Sequence, residues 1–195
     1  MKKLIVEEWM SLDGFVADKD GGLDFFTNLT PEENKYSDAD QLKFIESIDT
    51  ILLGRKTYEL FVNFWPTAST DQEVIADRLN ETPKIVFSNT IKRAPWGSWP
   101  DADVKNGDAV NVIKELKSKT GKDMVVWGSI SLVQSLIKEN LVDEYHLQLC
   151  PIILGGGRKL FFTELNPSQL TLKEVRKYDT GAIFLSYLPA NKISK

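Results

Sequence analysis

Two cations and a hydroxyl follow a glycine in the segment Gly54-Arg55-Lys56-Thr57. The apolar residues just before this segment are typical of a buried strand, and the residues after it are typical of a helix. A strand that ends where a helix begins presents unpaired backbone N–H groups and the positive end of the helix dipole. The segment is therefore suited to binding a phosphate. The alternative is an ordinary strand–helix turn whose basic residues are solvated.

Two further apolar runs, at residues 84–87 and 124–127, end in a similar way. The residues that follow them are mostly small or polar: Ser88, Asn89, Gly128, Ser129, Ile130 and Ser131. Parallel strands place their carboxyl ends at one edge of a sheet, so we expect the three segments to form one crevice. A nucleotide is the predicted ligand. Neither GxGxxG nor GxxxxGK[ST] occurs, which excludes the dinucleotide fingerprint and the P-loop.

Acidic side chains are the candidate proton donors, and Asp13 and Asp24 flank the first predicted loop. Asp24 lies between apolar residues, which would raise its pKa as a general acid requires. It could equally be a solvated loop residue, and Asp13, which precedes Gly14, could instead close an Asx turn. Glu144 is a further candidate acid, and His146 fits a packed strand residue better than a catalyst.

The composition excludes several classes of function. The chain has 195 residues, and 24 basic against 28 acidic side chains give a net charge of −4, which disfavours binding to nucleic acid or anionic membranes. A single cysteine, Cys150, excludes an internal disulfide, and the single histidine, His146, excludes a histidine-rich metal site. We expect no metal, no secretory signal and a cytoplasmic location.

The predicted elements form one domain over residues 1–195. Pro31 and Glu33 mark the start of a helix, and the residues up to about 138 alternate between strands and helices. Three strand-like segments follow, at residues 144–153, 170–178 and 182–188, and a turn joins the last two. The prediction is an α/β fold of three layers, with a mixed, mostly parallel sheet and antiparallel C-terminal strands.

Three segments in this order resemble the reductase domain of riboflavin biosynthesis, the RibD C-terminal family. They are Met10-Ser11-Leu12-Asp13-Gly14, residues 50–59 and residues 141–158, the last of which contains Gly155-Gly156-Gly157-Arg158. The family shares its fold with dihydrofolate reductase, whose Gly-Arg-x-Thr motif resembles residues 54–57. The resemblance implies a dihydrofolate reductase-like fold and an NADPH-dependent reductase of a pteridine, a pyrimidine or a similar heterocycle.

The resemblance also implies roles for the residues at the strand ends. Gly54, Arg55, Lys56 and Thr57 would hold the phosphates of the cofactor, Ser88 and Asn89 would lie near its adenosine 2′-phosphate, and residues 128–131 would form the pyrophosphate turn. Relatives typically have Gly-Gly in that turn, whereas this chain has Gly128-Ser129. A serine would lose any backbone conformation that only glycine permits, and this would weaken cofactor binding.

Three functions remain open at this point. The first is a stand-alone reductase resembling the 5-amino-6-(5-phosphoribosylamino)uracil reductase, because no zinc-deaminase signature accompanies it. The second is a true dihydrofolate reductase, which would need an assignable substrate carboxylate. The third is a nucleotide-binding module without turnover. Relatives pair through C-terminal strands, so a homodimer through residues 145–154 is a further expectation, although burial inside one chain explains their apolar character equally well.

Overall fold

The computed structural model describes residues 1–23, 31–162 and 167–190, and for residues 31–37 it describes the backbone alone. Asp24 lies outside the described residues. Within the described residues the strands are β1 (Leu4–Ser11), β2 (Phe15–Ala17), β3 (Ile48–Gly54), β4 (Lys84–Phe87), β5 (Ala94–Trp96), β6 (Trp99–Lys105), β7 (Asp123–Trp127), β8 (Glu144–Cys150), β9 (Arg158–Lys159), β10 (Leu170–Lys177) and β11 (Ile183–Pro189).

A single large sheet organises the molecule. Its nine described strands follow the order β10-β11-β8-β1-β7-β3-β4-β6-β5, and β2 pairs separately with β9. The six strands from β8 to β6 are parallel to one another, whereas β11 pairs antiparallel with β8 and with β10. The predicted α/β fold with a mixed sheet and antiparallel C-terminal strands is confirmed.

Helices cover both faces of this sheet. They are α1 (Pro31–Ser47), α2 (Arg55–Phe61), α3 (Ala76–Glu81), α4 (Ala109–Ser118) and α5 (Ile130–Lys138), together with a 3-10 helix at Trp65–Thr67. The apolar residues of α4 and α5 pack on one face of the sheet, against Val6 and Val126. Those of α1, α2 and α3 pack on the other face, against Leu53 and Trp127. The result is the predicted three-layer arrangement.

The register of β1 places two acidic residues at the centre of the sheet. Glu7 lies opposite Trp127 of β7 and opposite His146 of β8. The pairing of β1 with β7 stops at this level, whereas β1 continues along β8 as far as Ser11. Because side chains alternate between the faces of a strand, Glu7 faces the layer of α1 and Glu8 faces the layer of α4 and α5.

Local elements differ from the sequence prediction in two places. Thr70-Asp71-Gln72-Glu73 has the pattern of a capping box, which predicts a helix to about Asn80, but this segment makes turns and α3 starts only at Ala76. The backbone N–H of Ser69 donates to the side chain of Gln72 in a separate turn. Residues 95–100 are rich in Pro and Trp, which predicts a loop, but β5 and β6 pair antiparallel here at the edge of the sheet. Trp96 is fully buried and donates a hydrogen bond to Asn80, so it belongs to the core.

Candidate active site

Two of the three predicted strand ends touch each other. The backbone N–H of Gly54 donates to the hydroxyl of Ser129 at 2.7 Å. The backbone N–H of Ser129 in turn donates to the hydroxyl of Thr57 at 2.9 Å, and the two hydroxyl oxygens lie 3.0 Å apart. These hydrogen bonds therefore connect the N-terminal ends of α2 and α5 at the carboxyl edge of the sheet.

The turn between β7 and α5 has a left-handed backbone. Gly128 has a φ of 55°, and a Cβ atom at this position would come within 3.0 Å of the Thr57 methyl group. Ser129 has a φ of 62°, a conformation that non-glycine residues seldom adopt. The serine thus keeps a conformation that glycine adopts more easily, and its hydroxyl and N–H groups are both hydrogen-bonded.

Substitutions of Ser129 measure how much its hydroxyl and its left-handed backbone change the stability of the protein. We expect Ser129→Ala to lower the free energy of unfolding by about 1–3 kcal/mol, because the Gly54 N–H loses its acceptor. Ser129→Gly should be less damaging by about 1 kcal/mol, because glycine relieves the left-handed strain. Urea unfolding of the two variants measures the loss of the hydrogen bond and the relief of the backbone strain. Equal stabilities of the two variants would mean that the left-handed backbone of Ser129 is not strained.

Donors for an anion are available around this contact. The helical hydrogen bond from Val133 to the Ser129 carbonyl leaves the N–H groups of the first turn of α5 without helical partners, as at any helix N-terminus. Arg55 is partly exposed and pairs with Glu59 at 2.8 Å, while Lys56 is exposed at the start of α2. Backbone donors and solvent-accessible cations therefore occur together at one edge.

Ser88 and Asn89 lie one strand away. Phe87 pairs with Gly54, so the residues after β4 reach the same edge of the sheet. The Ser88 hydroxyl accepts from the backbone of Thr90, and the Asn89 side-chain oxygen accepts from the backbone of Gly107. Both side chains therefore form hydrogen bonds to the backbone of the loops at this edge.

The structure places Asp13 in a loop contact. Its carboxylate accepts hydrogen bonds from the Ser11 hydroxyl at 2.7 Å and from the backbone N–H groups of Leu154 and Gly155 at 3.1 and 2.8 Å. The hydrogen bond from Ser11 is the main reason why the pKa of Asp13 is lowered. These contacts tie the loop after β1 to the glycine-rich segment after β8, and a carboxylate with a lowered pKa is a poor proton donor.

A groove lies beside this edge, on the α1 face of the sheet, with a volume of about 200 Å³. We call it the helix–hairpin groove, because α1 forms one wall and the hairpin of β10 and β11 forms the other. Asp40 of α1 crosses it, pairing with Arg176 at 2.5 Å and accepting a hydrogen bond from the Tyr178 hydroxyl. The groove is lined by Glu7, Asp40, Gln41, Lys43, Phe44, His146, Gln148, Arg176, Tyr178 and Phe184.

His146 occupies the floor of the groove between two carboxylates. Its Nε2 atom lies 2.9 Å from Glu144, and its Nδ1 atom faces Glu7 at 3.7 Å. Burial by itself would lower the pKa of the imidazole, but the hydrogen bond to Glu144 and the nearby charges of Glu144 and Glu7 raise it. Glu144 is buried, yet hydrogen bonds from His146, Lys173 and Ser186 lower its pKa to about 2.

The family model for the RibD C-terminal domain matches residues 2–184. The chain belongs to this family. The uncharacterized protein YyaP of Bacillus subtilis (strain 168) is 28% identical to this RibD C-terminal protein over 189 residues, which are 95% of this chain and 94% of YyaP.

Solved structures share the fold. A protein from Shewanella sp. PV-4 that is named for riboflavin biosynthesis has a TM-score of 0.76 at 25% identity, with 96% of this chain and 98% of that chain covered. Dihydrofolate reductase from Enterococcus faecalis, solved with NADP(H), has a TM-score of 0.60 at 13% identity, and 96% of each chain is covered. The RibD C-terminal protein therefore has the dihydrofolate reductase-like fold.

The sequence prediction missed the pair formed by Glu7 and His146. A signal was present, because acidic residues are rare in a central strand unless they are paired. Among the described residues, no cluster of three potential metal ligands occurs, and no helix is long and apolar enough to cross a membrane.

Proposed function

We propose that this RibD C-terminal protein is an NADPH-dependent reductase of a nitrogen heterocycle of the pteridine or pyrimidine type. The observation that carries the proposal is the contact between residues 54–57 and residues 128–131, which joins two helix N-terminal ends at the carboxyl edge of a parallel sheet. Such an edge is where open α/β sheets bind phosphate-bearing ligands. Family membership supports the reductase chemistry.

The residues at this edge fit the phosphates of a dinucleotide. Gly54, Thr57, Gly128 and Ser129 would hold them with backbone N–H and hydroxyl groups, together with the N–H groups of Ile130 and Ser131. Arg55 and Lys56 would add charge, and Ser88 and Asn89 would border the 2′-phosphate. When bound, NADPH would supply a hydride. The protein would contribute orientation and electrostatics.

NADPH fluorescence on titration with the protein tests the first half of the proposal. We expect binding in the micromolar range or tighter, and no binding at about 100 μM would reject a reductase. Loss of NADPH absorbance with dihydropterins, dihydrofolate or riboflavin precursors then tests turnover. Binding without turnover of any compound would favour the nucleotide-binding module, and turnover of dihydrofolate alone would favour a dihydrofolate reductase.

Arg55 provides a variant for the cofactor side. We expect Arg55→Ala to weaken NADPH binding by about 1–3 kcal/mol, the usual cost of losing a charged hydrogen bond. Arg78→Ala is a matched control, because Arg78 is also exposed and pairs with a glutamate of its own helix, Glu81. Equal affinity of both variants would remove Arg55 from the site.

Three sequence predictions stay predictions. Asp24 as proton donor lies outside the described residues, and the cytoplasmic location belongs to this proposal. A homodimer is the third. Tyr145 and Leu147 are buried within the chain, whereas Leu172 and Val175 of the edge strand β10 are about half exposed, at 49% and 56%. A dimer through β10 is therefore easier to build than one through residues 145–154, and light scattering measures it.

A further inference from the structure

The helix–hairpin groove is adjacent to the proposed cofactor edge. Glu7 on its floor pairs in register with Trp127, the residue immediately before Gly128. Neighbouring strands lie about 4.8 Å apart, so the groove floor starts one strand from the turn that would hold the cofactor. A ring lying in the groove could extend to that turn.

The size and lining of the groove favour a small flat ring. A cavity of about 150 Å³ can hold one benzene molecule, and this groove has about 200 Å³. Phe44 and Phe184 flank His146, with ring centroids 4.9 and 5.1 Å from the imidazole. A single or fused aromatic ring therefore fits in volume and in polarity, whereas a dinucleotide does not.

Glu144 fixes how His146 presents itself to the groove. The side chain of Glu144 is 3% exposed, and it holds Nε2 by a hydrogen bond of 2.9 Å. The opposite nitrogen, Nδ1, is left facing Glu7 at 3.7 Å, which is longer than a hydrogen bond. A carboxylate has several acceptor sites, so Glu7 could accept a hydrogen bond from a ligand N–H group beside His146. His146 and Glu7 therefore present one hydrogen-bond donor, Nδ1, and one acceptor, the carboxylate, to a ligand in the groove.

We propose that the helix–hairpin groove binds the substrate ring, a flat nitrogen heterocycle with a C=N bond, and that Nδ1 of His146 gives that nitrogen its proton. This inference rests on the proposed reductase function. Glu7 anchors an N–H group of the same ring and keeps the imidazole charged, and Glu144 is a positioning residue that acts through His146.

The proton balance of the step is simple. Reduction of a C=N bond adds a hydride at carbon and a proton at nitrogen. With a bound reduced cofactor supplying the hydride, the π electron pair of the C=N bond would form the new N–H bond with the proton that leaves Nδ1. The neutral imidazole then recovers a proton from water. The raised pKa of His146 keeps the imidazolium populated near neutral pH, as this step requires.

The charges around His146 come from every element packed against it. Two carboxylates face the ring directly, and the remaining groups act at longer range or through those carboxylates. Among the described residues they are Lys3 just before β1, Glu7 of β1, Glu144 of β8, Lys173 and Arg176 of β10, Tyr178 just after β10, and Asp40 and Lys43 of α1. Ser186 of β11 donates to Glu144 and is uncharged.

The single histidine makes this inference measurable by proton NMR. We expect the C2–H signal of His146 to titrate with a pKa above about 6.5. Addition of 7,8-dihydropterin, a bicyclic ring with a C=N bond, should shift that signal with saturation at millimolar concentration or below. NADPH is absent from this measurement, so its outcome does not depend on turnover.

Glu7→Gln tests the pair, and Glu46→Gln is the control, because Glu46 is an exposed residue of α1. We expect Glu7→Gln to lower the pKa of His146 and to weaken 7,8-dihydropterin binding at least tenfold, while Glu46→Gln changes neither. NADPH affinity should stay within twofold in both variants. Where a substrate is turned over, the fall of kcat at high pH should move to lower pH in Glu7→Gln, and His146→Gln should lose most of kcat.

Two results would overturn the inference. One is a His146 signal that does not respond to millimolar 7,8-dihydropterin, and the other is a Glu7→Gln variant that binds this probe as the wild type does. Failure of the reductase function looks different, because NADPH would then neither bind nor be oxidised while the His146 signal still responded to the ring.

Discussion

Glu144→Gln is expected to lower the free energy of unfolding by about 3–5 kcal/mol at pH 6, the usual cost of removing one partner from a buried ion pair. Its carboxylate is 3% exposed and accepts from three donors, on His146, Lys173 and Ser186. A glutamine amide has one acceptor oxygen for these donors and turns an NH₂ group toward them. The variant therefore leaves the buried His146 with Glu7, at 3.7 Å, as its nearest carboxylate.

The pH dependence of this loss follows from two opposite shifts. Burial opposes charge on Glu144, but the hydrogen bonds from His146, Lys173 and Ser186 lower its pKa to about 2 in the folded state, against about 4.3 unfolded. Its contribution is thus complete above about pH 4.3 and disappears as the pH falls towards 2. Burial also disfavours charged His146, but Glu144 and Glu7 raise its pKa, so its contribution is complete below about pH 6.5 and disappears at higher pH.

The loss should therefore be greatest between about pH 4.5 and 6.5 and smaller on either side. Urea unfolding of the wild type and the variant at several pH values measures it. Glu174→Gln is the matched control, because Glu174 follows Lys173 on β10 and forms a partly exposed ion pair with Arg176. It should cost no more than about 1 kcal/mol at any pH. A loss in Glu144→Gln that does not vary with pH would contradict the assigned ion pairs.

The fold and the cofactor edge could be predicted because their signals are local. Short apolar runs that end at Gly54 and Gly128 indicate strand–helix junctions, and the rules of parallel sheets then bring those ends together. The hydrogen bonds between them could not be predicted. They depend on the left-handed backbone of Ser129 and on a contact with Thr57 that is distant in sequence.

The helix–hairpin groove could not be predicted for a related reason. Phe44, His146 and Phe184 meet only when α1 packs across the sheet against the C-terminal hairpin. No local sequence pattern around these residues indicates that contact. At Trp96 the local sequence indicates a loop, whereas the structure has a strand. Pro95 and Pro100 disfavour strands, but at the edge of a sheet proline is tolerated, and burial of the indole stabilises β5.

Glu8→Gln is expected to raise the stability of the protein at pH 8 relative to the wild type. Glu8 is 6% exposed, on the face of the sheet that α4 and α5 cover, and its Oε1 atom has no hydrogen-bond partner among the described residues. Desolvation by burial is the main cause that raises its pKa well above the usual value, and the charge of Glu7 adds to it. A neutral amide removes the cost of charging a buried acid.

The sign of the effect follows from proton binding. Between about pH 4.3 and its raised pKa, Glu8 holds a proton in the folded state and not in the unfolded state. The stability of the wild type therefore falls as the pH rises through this window, by up to about 1.4 kcal/mol per pH unit from this group. Glu8→Gln lacks this contribution, so the difference in stability between variant and wild type should grow in favour of the variant as the pH increases.

Urea unfolding at pH 5, 6, 7 and 8 measures this difference, with Glu46→Gln as the control for loss of an exposed acid. At pH 5 the variant can be less stable than the wild type, because an amide without partners costs about 1–3 kcal/mol to bury. By pH 8 the order should be reversed. Curves that run parallel for Glu8→Gln and the wild type would mean that Glu8 ionises in the folded protein as an ordinary surface acid does.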